Sequence, residues 1–407
     1  MKVILISSIV PGNAGGGRLV LYHHFKDASA IELLVVCDGP VPGFNHKVLK
    51  HRVSSRIFKR VAKTFLRRWA LDCQEYFLPC KPGRVAQICR EFKPDVIMTV
   101  AHGNLWRLAL GEARSSRVPL VTIFDDWWPD LSGTHKMLRP LLDKQFRALH
   151  QNSAVSLCVC EGMLTALGPH PRAEVLYPTP GGSAPSISQA KREPTVSEQL
   201  KVIYTGNLGD YGGMIQTALE AMKEHPRIRL EAIGGNPAWP APFRKEMQER
   251  GLWHDFVPQE KLGVWLATAD AFLVAMRFEP QLRRFMETSF PSKITHYAQF
   301  HKPIVIWGPE YCSAIQWARR GDRALCITDN DPIALKAALE KLAGSPAWQA
   351  SLTERAKQAA QTELNPERLQ RQFLGSLQNV KGRPNKQLSR SSVAHSYART
   401  SALCEAA

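Results

Sequence analysis

A glycine-rich segment between a predicted strand and a predicted helix has the composition of a phosphate-binding loop. Residues Gly206–Gly213 read Gly-Asn-Leu-Gly-Asp-Tyr-Gly-Gly; they follow the apolar run 201–205 and precede a helical pattern from Met214 to Met222. Glycines let the backbone approach a ligand, and the free N–H groups and positive dipole end of a helix start suit a diphosphate. The spacing is not the dinucleotide fingerprint, which argues against NAD. A tight strand-to-helix turn would need the same glycines.

The segment 290–305 is a second candidate binding element. It reads Phe-Pro-Ser-Lys-Ile-Thr-His-Tyr-Ala-Gln-Phe-His-Lys-Pro-Ile-Val. Pro291 fits the first turn of a helix, and a strand begins at Pro303. We therefore expect the start of this helix, with Lys293 in its first turn, to meet negatively charged groups of a ligand. The alternative is that Lys293 is only a solvent-exposed residue of this helix.

Polar residues also follow two predicted strands in the N-terminal half. His102 comes after the strand 95–100, and Asp125 and Asp126 come after the strand 119–124. A histidine can hydrogen-bond a substrate or shuttle a proton near neutral pH. Adjacent carboxylates on an extended chain point in different directions, so one of them, Asp126, is expected to serve the site. The alternatives are that His102 and Asp126 only cap the helices that follow them.

A glycine loop after the first strand completes the set of candidate residues. Gly16, Gly17 and Arg18 follow the apolar run 2–10. The glycines would let a ligand lie close to the backbone, and Arg18 would meet a phosphate group of that ligand. A simple turn explains the same residues.

The elements that must position these residues form two series. Strand-length apolar runs at 2–10, 31–37, 95–100, 119–124 and 155–159 alternate with helical stretches, and a second series begins at Lys201. This alternation is typical of parallel sheets covered by helices on both faces. With 407 residues, 44% of them hydrophobic and 22% charged, the chain is long enough for two such domains and too apolar to be disordered. The predicted fold class is α/β, with two Rossmann-like doubly wound domains that face a central cleft.

Shifts in composition predict the domain boundaries. Gly, Ser, Pro and charged residues dominate 181–200, and Lys, Arg, Ser and Asn dominate the chain from 382 onward. Such segments lack the apolar periodicity of a core. The predicted order is an N-terminal domain at 1–180, a linker at 181–200, a C-terminal domain at 201–365, a helix at 366–381 and a disordered basic tail at 382–407.

Three motifs in the second half resemble the donor domain of GT-B glycosyltransferases, specifically the family 4 group. They are Pro-Ser-Lys at 291–293 with its short helix, Lys-Pro-Ile-Val at 302–305 and Ala-Thr-Ala-Asp-Ala-Phe-Leu-Val at 267–274. The likeness covers the donor half well and the first half loosely. It implies a hexosyltransferase-type enzyme that moves a sugar, with retention, from a nucleotide diphosphate sugar to a glycan or lipid-linked acceptor. Surface polysaccharide or glycoconjugate synthesis is the implied process.

The candidate residues then divide between the two substrates. His102 and Asp126 become catalytic candidates, and the loop of Gly16, Gly17 and Arg18 becomes acceptor-binding. The donor-binding candidates are Gly206, Asn207, Gly209, Glu287, Ser292, Lys293 and His296.

Ribose recognition departs from the family pattern that the resemblance implies. His296 stands where relatives have a glutamate whose carboxylate accepts both ribose hydroxyls. The usual partner eight residues earlier is Thr288 here, with Glu287 beside it. An imidazole reaches one hydroxyl, so ribose recognition is altered or donor binding is weakened.

Diphosphate neutralisation departs from the pattern as well. Many relatives have a lysine near the position of Gly213. Burying phosphate charges without a cation is costly, so another group must serve. Lys293 is the favoured candidate, ahead of Arg283 and Arg284, for which a solvated position is the stronger reading.

No metal ion or other cofactor is expected, because helix starts and cations would neutralise the donor. Two alternatives to a glycosyltransferase stay open. One is a non-catalytic GT-B binding protein that has lost turnover, which the missing ribose glutamate favours. The other is an enzyme similar to nucleotide-sugar 2-epimerases.

The segment 47–71 contains nine Lys or Arg residues and no acidic residue, with apolar residues at every fourth position. It is interpreted as a basic amphipathic helix that packs on its sheet, meets an anionic membrane surface, or does both. The net charge of +17 favours anionic partners. Nucleic acid is not expected, because aromatic residues do not interleave with the basic ones as a stacking platform requires.

The nine cysteines follow no repeating pattern and are interpreted as reduced thiols. No apolar run approaches the roughly 20 residues that a membrane-spanning helix needs. The expected location is cytoplasmic, with peripheral attachment to the inner face of the membrane as an extension of that prediction.

Overall fold

The computed structural model describes residues 1–13, 15–49, 60–61, 63–77, 82–180, 199–235 and 237–381. The chain divides into two compact units. Of the described residues, the first contains those within Met1–Cys158, Leu164–Val175 and 373–381; the second contains those within Val159–Met163 and Leu176–Gln372. Each unit is built around one parallel β-sheet.

The first unit contains a seven-stranded sheet in the order β3-β2-β1-β4-β5-β6-β7. Its strands are β1 (Lys2–Ile6), β2 (Glu32–Cys37), β3 (His46–Val48), β4 (Val96–Val100), β5 (Leu120–Phe124), β6 (Val155–Cys158) and β7 (Ala173–Val175). The helices are α1 (Gly16–Phe25), α2 (Arg67–Phe77), α3 (Pro82–Phe92), α4 (Trp106–Ser116), α5 (Trp128–Leu131) and α6 (Arg139–Asn152). Helix α7 (Glu161–Leu167) is shared between the two units.

The second unit contains a six-stranded sheet in the order β10-β9-β8-β11-β12-β13. Its strands are β8 (Leu200–Thr205), β9 (Ile228–Ile233), β10 (Trp253–His254), β11 (Ala271–Ala275), β12 (Ile304–Trp307) and β13 (Leu325–Ile327). The helices are α8 (Gly212–Met222), α9 (Ala241–Glu249), α10 (Gln259–Ala267), α11 (Arg283–Thr288), α12 (Ser292–Ala298), α13 (Ser313–Arg319), α14 (Pro332–Ala343) and α15 (Pro346–Gln361). A short 3-10 helix spans Pro280–Leu282, and α16 (Pro366–Gln378) is the last helix among the described residues.

The central strands are buried on both faces, as parallel strands covered by helices must be. All residues of β4, β11 and β12 are buried, and Val3–Ile6 of β1 are fully inaccessible to solvent. This is why these strands read as continuous apolar runs in the sequence. The α/β fold class with two doubly wound sheets is thereby confirmed.

Each sheet has one point where the order of the strands reverses. In the first unit β1 and β4 are neighbours, with Val3 opposite Val96; in the second β8 and β11 are neighbours, with Ala271 opposite Val202. Ligands of doubly wound sheets bind beyond the carboxyl ends of the strands at such a reversal. The residues after β1, β4, β8 and β11 are therefore the ones to examine for function.

The predicted continuous basic helix over 47–71 is helical only in part: 60–61 and 67–71 are helical, whereas 47–48 belong to a strand and 63–66 form turns. His46–Val48 is a strand paired with β2, and α2 begins only at Arg67 and continues to Phe77. Helical spacing of apolar residues does not reveal a three-residue edge strand at the start of such a segment. Residues 50–59 and 62 lie outside the described residues, as do 181–198 of the predicted linker and the predicted tail at 382–407.

Across the described part of the chain, helices that combine enough length with enough apolar character to traverse a lipid bilayer are absent.

Candidate functional site

In the second unit, the glycine loop lies directly after β8 at the reversal of the sheet. Gly206 has φ 133°, a region that favours glycine, and its N–H donates to Ile233 O at 2.9 Å. A Cβ on Gly206 would lie 2.8 Å from Lys293 Nζ. Glycine is thus required here both for the backbone conformation and for the close approach of the lysine.

The rest of this loop is held by side chain to backbone bonds and leads into α8. Asn207 Oδ1 accepts from the N–H groups of Gly209 (2.7 Å) and Asp210 (3.1 Å), and Tyr204 Oη donates to Asn207 O at 3.1 Å. No side chain caps the start of α8 at Gly212. The first-turn amides of α8 can therefore serve an anion. The structure gives Asn207, predicted to bind donor, a role in shaping the turn.

Lys293 brings a cation to this loop from the first turn of α12. Its Nζ lies 4.2 Å from the ring centroid of Tyr204 and 5.5 Å from that of Tyr211. It forms no ion pair with any described residue. Burial lowers the pKa of Lys293 to about 7. A half-buried cation that lacks a counter-charge favours an anionic ligand beside it.

Arg277 is a second cation at this edge, and sequence reasoning missed it. It follows β11 by two residues and forms a forked pair with Glu279, with Nη2–Oε1 at 2.6 Å and Nε–Oε1 at 3.1 Å. The hydrogen bond and charge of Glu279 raise the pKa of Arg277, and Asp210 in the glycine loop adds to this. The signal available in the sequence was a cation just past a strand at the sheet reversal.

The other predicted cations lie elsewhere. Arg283 has a 63% exposed side chain and pairs with Glu287, Nε–Oε1 2.7 Å; Arg284 is exposed on the same helix. The Glu287 carboxylate, a predicted donor ligand, is thus engaged by a neighbour four residues away. Among the three cations considered from the sequence, Lys293 alone contacts residues of the loop after β8.

Helix α12 also carries Ser292 and His296. Ser292 is its first residue, and His296 lies in its last turn with its ring 5.5 Å from that of Phe300. Burial lowers the pKa of His296 to about 4, so the imidazole is neutral at pH 7. The hydroxyl of Tyr297 accepts from Thr205 N at 2.8 Å, which ties this helix to the end of β8.

In the first unit, His102 follows β4 at the other sheet reversal. Gly103 beside it has φ 68°, and a Cβ there would collide with the Ser8 hydroxyl, so the loops after β1 and β4 touch at a glycine. The His102 Nδ1 atom is buried and has no hydrogen-bond partner among the described residues. A buried imidazole nitrogen without a hydrogen bond costs free energy, and a ligand that bonds to it would remove that cost.

Asp125 and Asp126 converge on this histidine. One ligand atom from each of the three residues lies within 4.8 Å of the others. Asp126 N donates to Asp125 Oδ1 at 3.0 Å. Burial raises the pKa of both carboxyls, and the charge of Asp125 helps to bring that of Asp126 to about 8. The strand ends at Phe124, so the alternating directions expected of strand residues do not apply to this pair.

Trp128, Glu75 and Arg107 support the histidine, and sequence reasoning assigned a role to none of the three. The Trp128 ring lies 4.2 Å from that of His102, and its Nε1 donates to Glu75 Oε1 at 3.2 Å. Glu75 also accepts from Arg107 Nη1 at 2.8 Å, in a pair whose side chains are less than 10% exposed. Burial raises the pKa of Glu75, and the charge of Arg107 opposes this.

The predicted acceptor loop is also at this edge. Helix α1 begins at Gly16, and a Cβ on Gly17 would lie 3.2 Å from Asp125 Oδ2. Arg18 O accepts from Gly12 N at 3.1 Å, and the Arg18 guanidinium covers Gly12. The structure therefore brings Gly17 to the carboxyl pair beside His102.

Metal binding stays a matter of prediction. The His102, Asp125 and Asp126 group has a spacing that a divalent cation could use. The chain also contains an Asp-x-Asp sequence, Asp329-Asn330-Asp331, but Asp331 Oδ1 caps α14 by accepting from Ile333 N at 2.8 Å.

Solved structures similar to this chain are sugar-transferring enzymes. Sucrose-phosphate synthase from Thermosynechococcus elongatus superposes with a TM-score of 0.63 at 14% identity, covering 93% of this chain and 98% of that chain. HepE from Anabaena, solved with UDP-glucose, gives 0.63 at 14% identity and covers 93% and 100%. WaaG, a glycosyltransferase involved in lipopolysaccharide biosynthesis, gives 0.60 at 14% identity and covers 94% and 100%.

The chain has the GT-B fold. Coverage of more than nine-tenths on both sides means that both units of the GT-B fold are represented. No family model and no curated protein matches the sequence. The GT-B fold predicted from the motifs around Lys293 is confirmed. Sequence identity of this size is evidence for a shared fold only.

Proposed function

We propose that this protein is a glycosyltransferase that takes a sugar from a nucleotide diphosphate sugar. The observation that carries the proposal is the pair of cations, Lys293 and Arg277, beside the glycine loop at the sheet reversal of the second unit. UDP or UDP-glucose is present in the HepE structures that share the fold. Lys293 forms no ion pair with any described residue, and a diphosphate would supply the negative charge beside it.

The second unit is assigned the donor. First-turn amides of α8 and the ammonium of Lys293 would hold the diphosphate, and they would stabilise the charge that develops on it as the sugar leaves. Arg277 is kept in position by Glu279 and would supply a second positive charge. His296 would donate or accept one ribose hydrogen bond in its neutral form.

The first unit is assigned the proton transfer. His102 would orient the reacting hydroxyl or sugar, and Asp126, with its raised pKa, would exchange a proton near neutral pH. Asp125 joins this group because it lies within the same cluster. Hexosyl transfer with retention, without a metal ion, to a glycan or lipid-linked acceptor completes the proposal.

Turnover of defined donors tests it. The full chain would be incubated with UDP- and GDP-sugars, with and without a mixture of glycan and lipid-linked acceptors, and nucleoside diphosphate release would be measured. We expect release that depends on an acceptor and is lost in Lys293→Met. Arg283→Met is the matched control, because Arg283 is a cation nearby in the sequence that is exposed and already paired with Glu287.

Three other outcomes would contradict the proposal. Binding of UDP or GDP without turnover of any donor would identify a binding protein of this fold. An epimerised nucleotide sugar formed without acceptor would identify an epimerase. Release that requires added Mg²⁺ or Mn²⁺ would overturn the metal-free part alone.

A further inference from the structure

Exposed apolar side chains are concentrated in two segments of the first unit. Of the ten large hydrophobic residues that are exposed among the described residues, six lie in these two segments. Phe65 is 94% exposed, Trp69 58% and Met137 91%, and such values are costly for side chains of this size. The six residues, called here the apolar surface, are Phe65, Leu66, Trp69, Leu131, Met137 and Leu141.

Direct contacts join the two segments. Asp72 of α2 accepts from His135 N at 2.9 Å and binds the His135 ring with its other oxygen. Gly133 packs so closely on Leu71 that a Cβ would lie 2.8 Å from Leu71 Cδ1. Trp69 lies three residues before Asp72, on the same face of α2, and Met137 lies two residues after His135. The exposed side chains therefore belong to one surface.

This surface is surrounded by positive charge. Lys63, Arg67, Arg68 and Lys136 are exposed, and the segments 63–71 and 131–142 contain no acidic residue. Asp72, which follows the first segment, is buried and bound by His135, and Asp130 and Asp143 flank the second segment. Two copies of the same surface would place these cations against each other, which disfavours a homodimer through it.

We infer that the apolar surface docks on an anionic lipid bilayer. Aromatic and long aliphatic side chains enter the boundary between headgroups and acyl chains, and cations around them meet anionic headgroups. Attachment is at the surface of the bilayer, through side chains from a helix start and a loop.

The location of the surface also bears on the acceptor. Helix α5 carries Trp128, which packs on His102, at one end and Leu131 of the apolar surface at the other, about 4.5 Å apart along the helix axis. Docking would hold the His102 cluster close to the headgroups, which favours a lipid-linked acceptor. This second step rests on the proposed function; the docking itself does not.

Vesicle flotation of the full-length protein tests the docking. Phosphatidylcholine vesicles and vesicles that also contain phosphatidylglycerol would be compared at low and high salt. We expect binding to the anionic vesicles that weakens with salt. The double variant Trp69→Ser/Met137→Ser should lower the bound fraction at limiting lipid by about tenfold. Phe256→Ser/Val264→Ser is the matched control, since it removes exposed apolar side chains from the second unit.

Each contrary result has a definite meaning. Equal binding of the Trp69/Met137 variant and the Phe256/Val264 variant would overturn the inference, as would equal binding to neutral vesicles. A dimer in size-exclusion chromatography with light scattering that the Trp69/Met137 variant abolishes would assign the surface to a second copy instead. Vesicle binding without any sugar transfer would leave the docking intact and refute the proposed function, so the two failures are distinguishable.

Discussion

Replacement of Lys293 by methionine removes a positive charge that lies against the glycine loop and keeps an unbranched side chain of similar length. A phosphate oxygen about 4 Å from Nζ would interact with it by about 4 kcal/mol at an effective dielectric constant of 20. Removing the ammonium and the phosphate from water reduces this gain. The net contribution is therefore that of a charge-assisted hydrogen bond, about 1.5–3 kcal/mol. Lys293→Met should therefore weaken nucleoside diphosphate binding about 10- to 150-fold.

The same lysine predicts how binding depends on pH. Its pKa of about 7 in the free protein means that the ammonium is half populated at neutral pH, and a bound diphosphate would raise that pKa. Binding then takes up a proton, so affinity falls as pH rises above 7, by up to about tenfold per pH unit. Lys293→Met should remove this dependence.

Isothermal titration with UDP and GDP at pH 6, 7 and 8 measures both effects. Arg283→Met is the control and should change affinity by less than about twofold, because Arg283 is exposed and already paired. Thermal unfolding without ligand should show Lys293→Met to be at least as stable as the wild type, since no ion pair is lost and the lowered pKa of Lys293 means that its charged form destabilises the fold. Wild-type affinity in Lys293→Met, or the same pH dependence in both proteins, would refute the diphosphate role of this lysine.

Three further predictions concern the other residues of the two clusters. Trp128→Phe removes the N–H bond to Glu75 and should lower the rate of transfer about tenfold with donor affinity unchanged. Trp127→Phe loses a similar bond to Asp143 and should cost only about 1 kcal/mol of stability. Steady-state kinetics and urea unfolding separate the two variants, and equal kinetics would contradict the support of His102 by Trp128. Asp126 keeps its proton up to a pH of about 8, whereas the unfolded chain releases it at about pH 3.9. This carboxyl therefore makes the stability of the wild type fall as pH rises between those values, and Asp126→Asn should flatten the plot of urea-derived stability against pH. An unchanged slope would show that another group is responsible. His296→Glu should raise affinity for UDP over 2′-deoxy-UDP about tenfold by titration, and no change in that ratio would remove residue 296 from ribose recognition.

The two sheets could be predicted because parallel strands buried on both faces require continuous apolar runs. The runs ending near Cys37, Val100, Phe124 and Cys158 all proved to be strands. The three-residue strands β3 and β7 were missed, since their residues are half-buried or exposed and form no apolar run. The position of Lys293 could be predicted because a short helix start after a proline has few alternatives.

The supports of His102 could not be predicted, because they come from distant parts of the chain. Glu75 and Trp128 are 53 residues apart in sequence and meet through a single hydrogen bond. Buried carboxylates on a helix look like solvated ones until their partners are known. Arg277 and Arg283 likewise have the same charge and similar flanking residues, and only the fold distinguishes the one near Asp210 from the one paired with Glu287.

The order of apolar runs, glycine turns and helix starts in the amino-acid sequence was sufficient to determine two parallel α/β sheets and the strand ends at which the candidate site residues lie. Those features depend on local burial and backbone conformation, which adjacent residues express directly. The tertiary structure alone decided which charges stay unpaired, which carboxyls converge on His102, and which apolar side chains stay exposed at Phe65, Trp69 and Met137. These properties depend on distances between segments remote in the chain, and a charge or an apolar side chain has no function until its neighbours in space are known.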